Sequence, residues 1–125
     1  MATHLELDHI VVSASTLDEG AAFVEDALGV TLGGIGYHDR MGTHNRLLSL
    51  GSSRYLEVIA IDPDAPKPPH PRWFDLDSFE GAPRITNWVC RTNNLDDTLS
   101  CAPEGTGVPM ALERDVFKWR FAVPS

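Results

Sequence analysis

Cysteine is scarce in this chain of 125 residues: there are two, Cys90 and Cys101. They do not form a CxxC pair, and two are too few for a disulfide framework. Cys90 lies in an apolar stretch and is expected to act as a small buried hydrophobe. A reducing compartment, the cytoplasm, is the modest inference. Long apolar runs are missing as well. No stretch of about 18 apolar residues occurs, so no transmembrane helix is expected. The opening MATHLELDHI has neither a basic region nor an apolar core and reads as the start of a strand rather than as a signal peptide. Positive charge is also in short supply. Ten Lys and Arg stand against 18 Asp and Glu, a net charge of −8. Such a surface repels a phosphate backbone, which argues against nucleic acid as a partner. The Gly-Gly-Ile-Gly piece at 33–36 lacks the Gly-Lys-Ser/Thr ending of a phosphate-binding loop and opens no helix, so it reads as turn chemistry.

What is present fits one globular domain, with 42% apolar residues. Glu6 to Ala14, ELDHIVVSA, has the β-branched run of a strand and carries a histidine, His9, in its middle. A helix follows. Thr16 and Glu19 have capping-box spacing, Leu17, Ala21, Val24 and Leu28 line one face, and Gly29 stands where a helix stops. A short strand is expected near Val30 to Gly33. Two further strands, about 44–50 and 54–61, are joined at Gly51-Ser52-Ser53 as a hairpin. Residues 62–83 are rich in proline and acid, which makes them a long connection. Trp73 and Phe74 within it are expected to pin it onto a surface or over a cavity mouth.

The chain then repeats its plan. At a shift of 78 positions, LDHIVVSASTLDEG (7–20) falls on ITNWVCRTNNLDDT (85–98), and at a shift of 74, RLLSL (46–50) falls on RFAVP (120–124). The first module, 1–61, reads β-α-β-β-β; the second, 84–125, holds only the counterparts of its first strand, helix, second and third strands. Pro103 shortens its helix. The counterpart of Tyr55–Ile61 is absent, which leaves an unpaired sheet edge of the kind that invites a second protomer. A homodimer that covers this edge is expected.

Glu57 sits inside the apolar run Leu56 to Ile61, where a carboxylate needs a partner. Arg46 is the natural protein candidate. If the hairpin loop has an even residue count, His44 and Arg46 share the Glu57 face; an odd count puts Asn45 there. His9 is either a neutral histidine hydrogen-bonded within the sheet or a ligand aimed into a cavity with Glu57. Trp88 has the opposite parity and is expected to pack under a helix as core. His4, His38 and His70 have no partners at metal spacing and are expected on the surface.

Two tandem βαβββ modules, a His in the first strand and a Glu in the last strand of the first module resemble the vicinal oxygen chelate superfamily. That superfamily includes glyoxalase I, extradiol dioxygenases, methylmalonyl-CoA epimerase and drug-resistance proteins. LDHIVV, GTHNRLLSLG, YLEVIAIDPDAP, PRWF and ITNWVCRTNNLD resemble in particular its glyoxalase-like domain family. The resemblance implies an α+β fold whose tandem modules curl into a half-open barrel with helices outside, the second module being incomplete. It implies one divalent metal (Zn, Ni, Fe or Mn) and no organic cofactor. Carried over by position, His9 and Glu57 are the metal ligands, and Asn87 stands at the second module's first-strand position. Glu57 is also the catalytic candidate, with His44, Asn45, Arg46, Trp73 and Asn87 as substrate-binding candidates. The implied activity is that of a metal-dependent lyase, isomerase or dioxygenase. The alternatives are a metal-free small-molecule binder of the drug-resistance type and a degenerate scaffold without chemistry.

Overall fold

A computed structural model describes residues 4–104, 106, 108–114 and 117–123. β1 (Leu5–Ser13) leads into helix α1 (Leu17–Leu28), then β2 (Gly36–His38), β3 (Thr43–Ser49) and β4 (Tyr55–Ile61). β5 (Arg84–Thr92), helix α2 (Leu95–Cys101), β6 (Val108–Arg114) and β7 (Phe117–Val123) follow the proline-rich connection. The fold is α+β. Five strands form one mixed sheet in the order β2-β3-β4-β1-β5, and β6 and β7 pair separately as an antiparallel hairpin. β1 runs parallel to β4 and antiparallel to β5. The sheet does not close into a barrel.

α1 starts and stops where its residues dictate. The Thr16 hydroxyl accepts from the Glu19 N–H at 3.2 Å, and Gly29 adopts the left-handed conformation with φ 66°, which lets its N–H reach Glu25 O at 2.9 Å. The helix buries Leu17, Gly20, Ala21 and Val24 against one face of the sheet, made of Val12, Leu56, Val58 and Ala60. Leu28, expected on that face, is exposed at the helix end. A second core lies on the opposite face: Val11, Met41, Ile59, Trp73 and Leu76, flanked by Val89, Met110 and Phe121.

Several expectations are corrected. Residues 30–33 form no strand; β2 begins at Gly36. The Leu32 N–H donates to the Glu25 carboxylate at 2.9 Å, and the Gly33 N–H donates to Leu47 O of β3. Trp88 is 75% exposed rather than core, and Cys90 is exposed too. Both lie on β5, an edge strand of the five-stranded sheet. α1 packs on β4, and a helix packed the same way beside β5 would need a β4 counterpart; α2 accordingly buries none of its own residues.

The connection is held by its own side chains. The Arg72 guanidinium and backbone N–H both bond Asp77, and Arg72 Nε donates to Gly42 O. Trp73 is buried, and its Nε1–H donates to Thr43 Oγ1 at 3.3 Å. Two short 3₁₀ turns meet at Phe74 and Asp75, both left-handed with φ 57° and 52°. Backbone held there costs about 1–3 kcal/mol per residue, and the burial of Trp73 and Leu76 on either side keeps it in place.

Candidate functional site

Alternation along each strand decides which side chains share the Trp73 face of the sheet. Glu57 and Ile59 of β4 point there, while Leu56, Val58 and Ala60 go to α1. Val11 lies opposite Glu57 and His9 opposite Tyr55 in the parallel β1–β4 ladder. On β3 the turn decides. Ser49 faces Tyr55, so residues 50–54 form the loop, an odd count, and Asn45 is the residue that meets Glu57. His44 and Arg46 point the other way. Arg46 donates to Gly33 O and Leu32 O and lies 3.8 Å from Glu25, so it does not neutralise Glu57. His44 lies in tilted ring contact with Tyr37.

The row that results takes one polar side chain from each of four adjacent strands: His38 on β2, Asn45 on β3, Glu57 on β4 and His9 on β1. Glu57 is 4% exposed and His9 6%. His9 Nε2 lies 3.2 Å from Glu57 Oε1, and His38 Nε2 lies 3.6 Å from Glu57 Oε2. Asn45 Nδ2–H donates to Glu57 Oε2 at 2.6 Å, and the same nitrogen lies 3.0 Å from His38 Nε2. Trp73 stands edge-on to the His38 ring at 4.9 Å, and Tyr55 stacks flat on His9 at 4.4 Å. Asn87 is half-buried on β5, opposite Val11 and so on the same face as His9.

His38 is the residue that spacing along the chain missed. It is not at the surface. A tight β2–β3 connection, turned by the left-handed Gly42 at φ 64°, folds His38 back opposite Thr43. Asp8 was missed for another reason. The β1–β5 register shifts between Leu7 and His9, and this irregularity sets consecutive side chains near one another. Asp8 Oδ2 lies 2.7 Å from His9 Nδ1, while Arg91 donates to Asp8 Oδ1 at 3.1 Å and to Glu6 at 2.8 Å. No pattern of alternation would have shown that pair.

The electrostatics follow from these contacts. Burial pushes the Glu57 carboxyl up, but hydrogen bonds from His38, His9 and Asn45 outweigh it and hold the group down at about 2. Burial pushes His9 down, and the two carboxylates, Glu57 and Asp8, outweigh that and raise it. Both His9 ring nitrogens face carboxylate oxygens. With Nδ1–H donated to Asp8, the Nε2 lone pair would face Glu57 unless a cation, a proton or a metal, sits at that nitrogen.

The donor chemistry fits a metal in part. A carboxylate behind a histidine is the usual outer partner of a metal-bound imidazole. The 3.2 Å between His9 Nε2 and Glu57 Oε1 is close to the separation of about 3.3 Å between two donors on one tetrahedral ion. Among the described residues, however, no group of three or more His, Cys, Asp or Glu side chains is arranged to hold a metal ion.

Residues 7–125 match the family model described as the glyoxalase-like domain. The chain belongs to that family. Among solved structures it is similar to methylmalonyl-CoA epimerase from Mycobacterium tuberculosis, with a TM-score of 0.52 and 24% identity over 73% of this chain. At that identity the likeness concerns the fold, and the match spans 57% of the epimerase chain. No curated protein matches the sequence.

Proposed function

We propose that this glyoxalase-like chain binds a small molecule on the Trp73 face of its sheet, with Glu57 as the working group. One observation carries the reading: His9 lies between two carboxylates, 2.7 Å from Asp8 and 3.2 Å from Glu57, in a site that is almost fully buried. Such an arrangement calls for positive charge at Nε2. Glyoxalase-superfamily members commonly use a divalent metal, and His9 Nε2 with Glu57 would hold one here. A metal so held supplies Lewis acidity to neighbouring oxygens of a substrate, the chemistry of a lyase, isomerase or dioxygenase.

The chain's own residues do the rest. Asp8, itself tied to Arg91, fixes the His9 tautomer and aims Nε2 at Glu57. Tyr55 holds the ring plane. A carboxylate held at about 2 is a poor proton acceptor near neutrality. That favours a role for Glu57 in holding a cation over one in abstracting a proton. Asn87 supplies amide hydrogen-bonding groups to a ligand on the same face. Trp73 lies in close ring contact with Phe74 and Phe121, which suits a wall better than a stacking platform.

A second reading has its own support. A doubly protonated His9 satisfies Asp8 and Glu57 at once, and its raised pKa favours that form; the chain is then a metal-free binding protein. Elemental analysis of purified protein, wild type beside His9→Ala, separates the two. Stoichiometric Zn, Ni, Fe or Mn lost in the variant supports the metal reading. Absence of metal from the wild type even after soaking leaves the metal-free reading.

Compartment and assembly belong to the same proposal. Both thiols are free and exposed, which suits the reducing cytoplasm. No helix among the described residues is long and apolar enough to cross a membrane. A second copy of the chain covers the β5 edge.

A further inference from the structure

The proposed reading leaves His38 without a task. Its side chain is 13% exposed, and its ring stands edge-on to Trp73. The two ring nitrogens are placed differently. Nε2 lies 3.0 Å from Asn45 Nδ2 and 3.6 Å from Glu57 Oε2. Nδ1 has no hydrogen-bond partner among the described residues. Among those residues the buried side-chain polar atom left unpaired is Asn45 Oδ1, so His38 Nδ1 is not sealed in.

Asn45 decides where the His38 proton sits. Its nitrogen donates one N–H to Glu57 Oε2 at 2.6 Å and turns the other to His38 Nε2. Turned over, the amide would leave both N–H groups without acceptors, so it keeps this orientation although its own Oδ1 goes unpaired. A charged His38 ring lends Glu57 a proton from Nε2. In the neutral ring the shorter contact decides: Nε2 accepts from Asn45, and the proton sits on Nδ1. The result is a fixed donor, held in plane by Trp73, with no protein acceptor of its own. We propose that His38 Nδ1–H receives a neutral carbonyl oxygen of the ligand, with Asn45 fixing the tautomer that puts the proton there. Charge selects the kind of oxygen. Glu57 is ionised 3.6 Å from the ring and the chain carries −8, which disfavours a carboxylate or phosphate beside it. A donor so placed binds a carbonyl and also steadies negative charge that builds on its oxygen. The inference deepens the proposed function, which supplies the small molecule, and needs no metal at His9.

Nitrogen NMR of the ¹⁵N-labelled full chain tests it, because the shifts of the two imidazole nitrogens report which one carries the proton. With the ring neutral, His38 of the wild type is expected to be protonated at Nδ1. Asn45→Leu is expected to move the proton to Nε2, where it serves Glu57. Acetone, as a neutral carbonyl probe, is then titrated beside acetate, with the Trp73 indole N–H as a second reporter on the same face. Acetone is expected to shift His38 Nδ1 and to bind more tightly than acetate. His38→Phe keeps a ring against Trp73 but has no N–H, and is expected to weaken acetone roughly fivefold. If either variant does not fold, the wild-type tautomer and its response to acetone decide. A neutral wild-type ring protonated at Nε2 would overturn the inference, as would acetate that binds as tightly as acetone. Acetone that moves the Trp73 signal and leaves His38 Nδ1 unchanged would overturn it and spare the proposed function. Probes that move neither reporter would sink both.

Discussion

Glu57 is the residue on which the site turns, and its contacts set how stability depends on pH. Its folded pKa lies below the ordinary carboxylate value, so its contribution is present above about 4.5 and is lost as pH falls toward about 2. His9 has the opposite sign. Its folded pKa is raised, so its contribution is complete below about 6.5 and is lost as pH rises through the raised value. Without metal, the site is expected to stabilise the chain most between those limits. Urea denaturation across the pH range in chelator tests this, and a stability profile that is flat from pH 5 to pH 9 would contradict it. Glu57→Ala removes the partner of a buried cluster and is expected to cost about 3–5 kcal/mol at pH 6, with a smaller loss in Glu57→Gln. At this scale the sequence was legible for His9 and Glu57, because an ionisable residue inside an apolar strand needs a partner. Asn45 was legible as one of two alternatives that loop parity would decide. His38 and Asp8 were not, since a tight connection and a register shift create their contacts, and neither follows from periodicity.

At the scale of elements, the close approach of α1 to the sheet is the feature most open to a test. A Cβ on Gly20 would lie 2.5 Å from Val58 Cγ1 and 2.8 Å from Ala14 Cβ. Val58 is fully buried and has no room to withdraw. Gly20→Ala therefore sets an overpacking cost of about 1–3 kcal/mol against a helix-propensity gain of about 1 kcal/mol. A net loss of stability is expected in chemical denaturation, and a gain would show that the helix can shift outward freely. The caps and apolar face of α1 could be read in advance because they are local. The hairpin was also legible, to within a residue at each strand end. β2 was misplaced because its pairing is set by the turn at Gly42 and by the Glu25 carboxylate that captures Leu32, contacts made across space. Trp88 was misread for a related reason: strand parity tells which side a residue faces, and whether anything covers that side depends on elements elsewhere in the fold.

For the whole molecule, the strand order leaves one side of the five-stranded sheet open among the described residues. In the first half β4 lies between β3 and β1 and carries the packing of α1. In the second half no described strand lies between β7 and β5, so β5 keeps one unpaired edge among the described residues. Beside that edge, Trp88 and Ile85 are 75% and 65% exposed. Unpaired backbone next to large apolar side chains favours strand pairing with another chain. A second copy satisfies this most simply, because two identical edges can pair antiparallel about a twofold axis with each Trp88 near its symmetry mate. Sedimentation velocity of the wild type is expected to give a dimer, and Trp88→Glu, which sets like charges near one another, a monomer. The variant leaves Glu57 and its partners untouched, so the metal content per chain found by elemental analysis should match that of the wild type. A wild type that sediments as a monomer at every concentration tested would remove the dimer and leave the β5 edge to some other occupant.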